Sequence, residues 1–256
     1  MKPSGRKYIN LVREFFIAEM KLEEQGTILG FIWILLYPFL MLLILYMLFS
    51  KRLGKGIEHY EIYLLIGILH WEFFSKATSK SLKSLISKRQ ILLNTYLPKA
   101  ALILSSILVV FISFLFELII LGGFLIVSGV GFSEKVLFFP FIVLIELLLI
   151  IAVSLVLSCL NVYFRDIAHF WNVLLRIGFF LTPIFYPIPK LISEGKKGIY
   201  LLNPMTQIII FTRDILLFKR EPSFMHMFLF FSFVLVIFTT SCLIFKKLKT
   251  NVLEKM

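Results

Sequence analysis

From Gln25 to Ser50 the chain carries no charged residue, and a run of that kind fixes most of what can follow. A hydrocarbon core of about 30 Å is crossed by about 20 apolar residues in a helix. Inside it every backbone N–H and C=O must be satisfied within the protein, which an α-helix does for itself. The pattern recurs: Ala100 to Phe132 is interrupted only by Glu117, and Val136 to Phe164 only by Glu146. These runs predict an all-α polytopic membrane protein. Composition agrees, since 59% of the 256 residues are hydrophobic and the mean hydropathy is +0.94, well above the roughly 45–50% apolar content of soluble domains.

The remaining segments follow from charge. Tyr8, Leu11, Val12, Phe15, Phe16 and Met20 keep helical spacing among charged residues, which predicts an amphipathic interface helix within residues 1–26, lying along the inner leaflet. Lys2, Arg6 and Lys7 are not followed by an apolar core and small residues, so a cleaved signal peptide is not expected. Ile62 to Ser75 is a second crossing despite His70 and Glu72. Lys76, Lys80, Lys83, Lys88, Arg89 and Lys99 follow it with no acid among them, and such clusters belong on the cytoplasmic side. The two long runs form a hairpin with a short glycine-bearing tip. Ile167 to Pro189 is a fifth segment and Phe224 to Phe245 a sixth, completing a six-span domain over 27–245 with a basic cytosolic tail at 246–256. Between the last two spans, Ile199 to Leu202 and Met205 to Thr212 are too short to cross, so the external region of about 188–222 is expected to hold a pair of short re-entrant or surface-lying helices. With both termini cytoplasmic, 17 of the 27 lysines and arginines lie inside, as the positive-inside tendency asks.

Chemistry is informative mainly by what is missing. No G-x-x-x-x-G-K-[ST], H-E-x-x-H, paired-cysteine or G-x-S-x-G pattern occurs, so neither a nucleotide-phosphate loop nor a zinc or serine-hydrolase centre is expected in this chain. Cys159 and Cys242 sit in apolar runs and read as small buried hydrophobes. Metal and disulfide are not expected. The net charge of +12 finds its natural partner in anionic membrane lipids. No basic stripe on a soluble domain exists to receive nucleic acid.

Asn161 to Pro187 is the most irregular stretch. A charged turn at Arg165 and Asp166 leads into an aromatic segment carrying Arg176, expected to be satisfied inside the bundle, and the segment breaks at Thr182, Pro183 and Pro187. A break in hydrocarbon leaves carbonyls that protein or water must satisfy, which suggests a path across the membrane. Glu117 and Glu146 are intramembrane carboxylates and therefore site candidates. Glu117 is expected toward the outer leaflet and Glu146 near the middle, either as relay or sugar-binding groups or as packing carboxylates bonded to a neighbour. Trp33, Tyr37 and Tyr46 lie inside the first span and could line a conduit by ring stacking. Most other tyrosines and tryptophans read as an interfacial belt.

At these residues the chain resembles the membrane permeases of ATP-binding-cassette polysaccharide exporters, in particular the O-antigen type, with capsule and teichoic acid exporters as relatives. Leu29, Gly30, Trp33 and Pro38 resemble the family's opening motif, and Leu65, Gly67, Trp71, Phe73 and Phe74 its second span. Arg165, Asp166, Thr182, Pro183, Ile184, Tyr186 and Pro187 resemble its R-D-[IV] and T-P-I-x-Y-P elements, and Asn203, Pro204 and Arg213 its N-P and following arginine. The order Tyr96, Leu97, Pro98, Lys99 departs from the family's usual turn at that point. The resemblance implies a bacterial inner-membrane permease that pairs with a second copy of itself and with two cytosolic nucleotide-binding ATPase subunits. ATP and magnesium would sit on those subunits, with no cofactor in this chain. A polyprenyl-linked glycan would be the cargo. It implies coupling helices in the cytosolic loops, about 76–99 and 161–170, with Lys83, Lys88, Arg89, Tyr163, Arg165 and Asp166 as contacts. An external gate would use Thr182, Pro183, Pro187, Asn203, Pro204 and Arg213, and a channel Trp33, Tyr37, Tyr46, Glu117, Glu146, Phe180 and Tyr186. Rival readings are a drug or lipid exporter of the same plan, a membrane glycosyltransferase, and a proton-driven carrier.

Overall fold

The computed structural model describes residues 5–24, 32–94, 97–187 and 203–249. Helix α1 spans Gly5–Glu24 and α2 spans Ile32–Phe49 with Pro38 inside it. Helices α3 (Tyr60–Ser87), α4 (Arg89–Asn94) and α5 (Lys99–Val127) follow. A turn of 3-10 helix, Glu134–Phe138, leads into α6, Phe139–Tyr163. Then come α7 (Ile167–Leu181), α8 (Pro204–Leu216) and α9 (Phe224–Leu248). No strand occurs among the described residues.

Helix α3 is the axis. Hydropathy scores it poorly, yet it is packed against α2, α5, α6, α7 and α8, and from Ile62 to Trp71 every residue is buried. It runs parallel to α6, meeting it at His70 with Glu146, Ser81 with Ser154 and Leu82 with Asn161. It stacks on α5 through Phe73 and Phe114, whose rings are 4.4 Å apart. At 28 residues it is about 42 Å long at 1.5 Å per residue. The expected coupling loop at about 76–99 is therefore helical over its first half, and only Lys88 to Pro98 lies beyond α3.

Two ends can be told apart by these contacts. At the lysine-rich end, Tyr163 Oη donates to the Leu248 carbonyl at 3.2 Å and Lys99 Nζ to the carbonyl of Lys249. At the opposite end lie Tyr60, residues 182–187 after α7 and the α5–α6 turn, where Lys135 Nζ donates to the Lys219 carbonyl at 2.9 Å. Gly129 and Gly131 hold φ of 73° and 62° in that turn, backbone that glycine adopts without penalty.

Among the described residues, three helices are long and apolar enough to cross a membrane: Lys99–Val127, Glu134–Tyr163 and Phe224–Leu248. Leu36–Phe49 and Ile167–Leu181 are shorter apolar helices. The expected fifth segment to Pro189 thus stops as a helix at Leu181, about 22 Å long at 1.5 Å per residue, because Pro183 cannot continue the backbone ladder. Helix α8 covers the expected short segment from Met205 to Thr212. Ile199 to Leu202 and the segment from Gln25 to Phe31 lie outside the described residues.

Candidate functional site

The broken segment after α7 is where the fold departs most from self-contained helices. Each carbonyl from Pro183 to Tyr186 finds a side-chain donor from another element. Arg213 Nη1 donates to Pro183 at 2.7 Å and Nη2 to Ile184 at 2.7 Å. Tyr60 Oη donates to Phe185 at 2.6 Å and Tyr63 Oη to Tyr186 at 3.0 Å. The Pro183 and Ile184 carbonyls, both buried, would otherwise cost about 1–3 kcal/mol each as unsatisfied groups. The two tyrosines are three apart on α3, so they reach the break from one face.

Arg213 sits on α8, 2% exposed. Besides the two carbonyls of the break, its Nε and Nη2 donate to the Tyr63 carbonyl at 3.2 and 2.9 Å. Its guanidinium lies 3.4 Å from the centre of the Tyr63 ring, a cation–π placement. Gly67 makes room: a Cβ there would lie 2.8 Å from Nη2 and 3.2 Å from the Ile184 Cα. At the start of α8, Asn203 Oδ1 accepts from the Met205 N–H at 3.0 Å as an N-cap, while its Nδ2 donates to Thr182 Oγ1 at 2.8 Å. Pro204 follows at the first helical position, where its missing N–H costs nothing. Thr182, Pro183, Asn203, Pro204 and Arg213 are thus gathered in one knot, with the half-buried Pro187 just beyond it. Tyr60, Tyr63 and Gly67 complete the knot. The sequence showed the tyrosines only as belt residues, and their spacing on one helix face was the available signal.

The intramembrane acids are each paired. Glu146 meets His70 at 2.6 Å, both side chains fully enclosed, with Phe114 and Phe139 rings beside the imidazole. Glu117 lies 3.7 Å from Lys76, which also binds Glu72 at 3.0 Å. Lys76 Nζ stands 5.2 Å from the Tyr37 ring centre. Lys76 Nζ is therefore level with Glu117 on α5. A small apolar groove is lined by Pro38, Phe39, Leu42, Leu65 and Leu69, with Glu117 in its wall. Of the described aromatic candidates, Phe180 and Tyr186 flank Phe185 with ring centres 6.2 and 5.0 Å from it, and Tyr37 lies apart beside Lys76. Tyr37 and Tyr46 are exposed on α2, Phe180 is exposed on α7, and Tyr186 donates to the Phe180 carbonyl at 3.0 Å. Tyr46 stands 6.3 Å from Tyr60, far along α2 from Tyr37. The side chain of Trp33 lies outside the described residues. Arg176, expected inside the bundle, is exposed on α7, because Leu175, Gly178 and Trp171 occupy the face that packs.

At the lysine-rich end, Arg165 and Asp166 are exposed in the turn between α6 and α7, and Lys83 and Arg89 are exposed nearby in the chain. Lys88 differs. It is paired with Glu19 of α1, and burial pushes its ammonium down to about 8. Glu19 also accepts from Ser105 and Ser106 of α5 at 3.0 and 3.1 Å and lies 3.8 Å from Lys80. This buried carboxylate ties α1 to α3 and α5. Sequence reading missed it, because a glutamate on an amphipathic helix carries no mark of being turned inward.

Residues 18–217 match the family described as ABC-2 type transporter. The chain is also similar to an O-antigen export system permease protein RfbA of Myxococcus xanthus, 28% identical over 221 residues that cover 84% of each chain. Two proteins of the same name from Klebsiella pneumoniae are 28% and 26% identical. The first alignment covers 77% of this chain and 76% of the relative, and the second covers 92% and 91%.

Proposed function

The chain belongs to the ABC-2 type transporter family, a transporter's membrane subunit and not itself an enzyme, and we propose that it is the permease of a bacterial polysaccharide exporter. The observation that carries the substrate class is the similarity to O-antigen export permeases along most of both chains. On this reading the cargo is a lipid-linked glycan. Energy comes from ATP hydrolysed on two copies of a separate cytosolic subunit, and two copies of this chain form the conduit in the inner membrane. Six crossings with both termini cytoplasmic put the lysine-rich end inside.

The geometry supports a division of labour along α7. Its inner end is a charged turn exposed among the described residues, suited to docking a moving subunit. Its outer end is a break whose carbonyls are held by side chains of α3 and α8, which can exchange partners as helical hydrogen bonds cannot. The test is glycan export in vesicles containing the partner ATPase. Arg165→Ala and Asp166→Ala should insert normally and leave ATP hydrolysis running yet export less than about a tenth as much, a loss of at least about 1.4 kcal/mol in coupling by the usual conversion. Full export by both variants would overturn the assignment of the turn.

A further inference from the structure

Arg176 is the charge that the fold leaves unanswered. It is exposed on α7, a short apolar helix, about 15 Å along from Asp166 at 1.5 Å per residue. No acid among the described residues lies within ion-pair reach of it. Trp171 and Gly178 hold the side of α7 that packs on α3. His169, Asn172 and Arg176 are all exposed, and their spacing of three and four puts them together on the side turned away. An arginine at membrane depth is rarely left against hydrocarbon: it faces a protein interior or water, or it pairs with another charge.

The opposite imbalance sits at the same level. Trp171 meets Thr78 and Gly178 meets Trp71, so α7 climbs as α3 descends. Arg176, two residues short of Gly178, therefore stands level with the residues just after Trp71. There the carboxyl groups of Glu72 and Glu117 share one ammonium, that of Lys76. This cluster has an open edge. Helix α2 covers the Leu65 and Leu69 side of α3, and α7 covers the Trp71 and Thr78 side. Ser75 and Ser79 are part exposed, and the side chains of Glu72 and Lys76 are 14% and 39% exposed.

We propose that Arg176 pairs with Glu72 of a second copy of this chain, while its own Glu72 receives that copy's arginine, so that each copy supplies the cation the other's acid cluster lacks. Charge complementarity at one depth carries the argument. A two-fold contact is self-complementary, since a residue that meets a second residue in the partner is matched by the reverse contact. One spare arginine and one acid-rich cluster, level with each other on the same chain, are what such a contact requires. A guanidinium suits the place, because its planar fork binds a carboxylate through two parallel hydrogen bonds and is more weakly hydrated than an ammonium. A lipid tail on this face would leave both sets of charge unmet. The pairing rests on the two-copy reading above and adds to it the residues that meet.

Two differently tagged versions of the full chain, co-expressed with the ATPase and recovered from membranes in detergent, test it. Arg176→Glu sets acid against acid in a pair with itself, and Glu72→Arg sets arginine against arginine. Mixed, each variant meets its complement at both contacts. The Glu72→Arg chain should recover the Arg176→Glu chain at least ten times better than either recovers its own kind, while wild type recovers wild type. Equal recovery in all variant combinations would overturn the pairing alone. Failure of wild type to recover itself would overturn the two-copy reading beneath it. Cross-linking decides the matter where the charge variants do not assemble. In chains carrying Cys159→Ser and Cys242→Ser, one tag bears Glu72→Cys and the other Arg176→Cys. A short bis-maleimide is used, because Cα atoms joined through an arginine and a glutamate stand farther apart than the roughly 7 Å a disulfide allows. It should link the two tags at least ten times more than it links Arg176→Cys to Ile119→Cys, a residue exposed on α5 near the level of Glu117. Links formed only between two Arg176→Cys chains would mean that α7 meets α7, and would overturn the pairing. No link in any combination would remove the second copy from this face and leave Arg176 turned to water or lipid headgroups.

Discussion

Replacing Arg213 with alanine removes the donors from the Pro183 and Ile184 carbonyls and strips the Tyr63 carbonyl of two more bonds. With buried acceptors costing about 1–3 kcal/mol each when abandoned, the loss should be on the order of 3 kcal/mol. Lysine keeps the charge but not the planar fork, so Arg213→Lys should fall between wild type and alanine. Thermal unfolding of the purified protein in detergent gives the ranking, and an Arg213→Ala midpoint equal to wild type would remove Arg213 from the knot. Gly67→Ala should destabilise in the same assay by about 1–3 kcal/mol, the usual cost of overpacking, since its new methyl meets Arg213 and the Ile184 backbone. Combined with Arg213→Ala the cost should be less than additive, because the two share a contact. Lys88 makes a pH prediction. Its folded value near 8 lies below the ordinary 10.5, so the unfolded chain binds more protons between those values and stability rises with pH across that window. Below about 8 the cost of burying the ammonium is fully present. The midpoint measured from pH 7 to 10 should carry this rise in wild type and lose it in Lys88→Met.

Glu19 sets the expectation for α1 as an element. Truncating it to alanine leaves Lys88 buried without its carboxylate and frees Ser105 and Ser106, a loss on the order of 3 kcal/mol for a broken buried pair. Limited proteolysis should then cut within α1 at least tenfold faster while cleavage elsewhere is unchanged. Unaltered cutting would mean that the Phe15 side of α1 suffices to dock it. The helices themselves were legible from apolar run length, and the break from two prolines, because both are local signals. Helix α3 was legible only in part. Its length was hidden by Glu72 and Lys76, whose charges cancel against each other and against Glu117 across a helix interface. His70 with Glu146 and Arg213 with the Tyr63 carbonyl are hidden in the same way, since pairs 76 and 150 residues apart leave no trace in any window. Arg176 failed in the other direction: an arginine in an apolar helix suggests an interior partner, but the side of α7 it occupies is set by Trp171 and Gly178, which fit Thr78 and Trp71 of α3.

For the whole molecule, the export reading requires the lysine-rich end and the break to be linked, and α7 lying on α3 is the element that joins them. Trp171 Nε1 donates to Thr78 Oγ1 at 3.1 Å near one end, and Gly178 accepts the Trp71 ring near the other, where a Cβ would stand 2.6 Å from it. A short helix fixed at two points moves as a rigid body, so displacement of the Arg165–Asp166 turn reaches the break undiminished only while both contacts hold. Gly178→Leu should separate the two by pushing α7 off Trp71, whereas Trp171→Phe removes one hydrogen bond and keeps the packing. In vesicles with the partner ATPase, Gly178→Leu should hydrolyse ATP at near the wild-type rate while glycan export falls at least tenfold. Trp171→Phe should change export by less than about threefold, the scale of one hydrogen bond worth about 0.5–1.5 kcal/mol. If Gly178→Leu exports normally, the break is driven through α8 and Arg213 instead, and α7 is a passive wall. That alternative makes its own demand, because Arg213→Lys would then have to cut export more deeply than Gly178→Leu in the same vesicles.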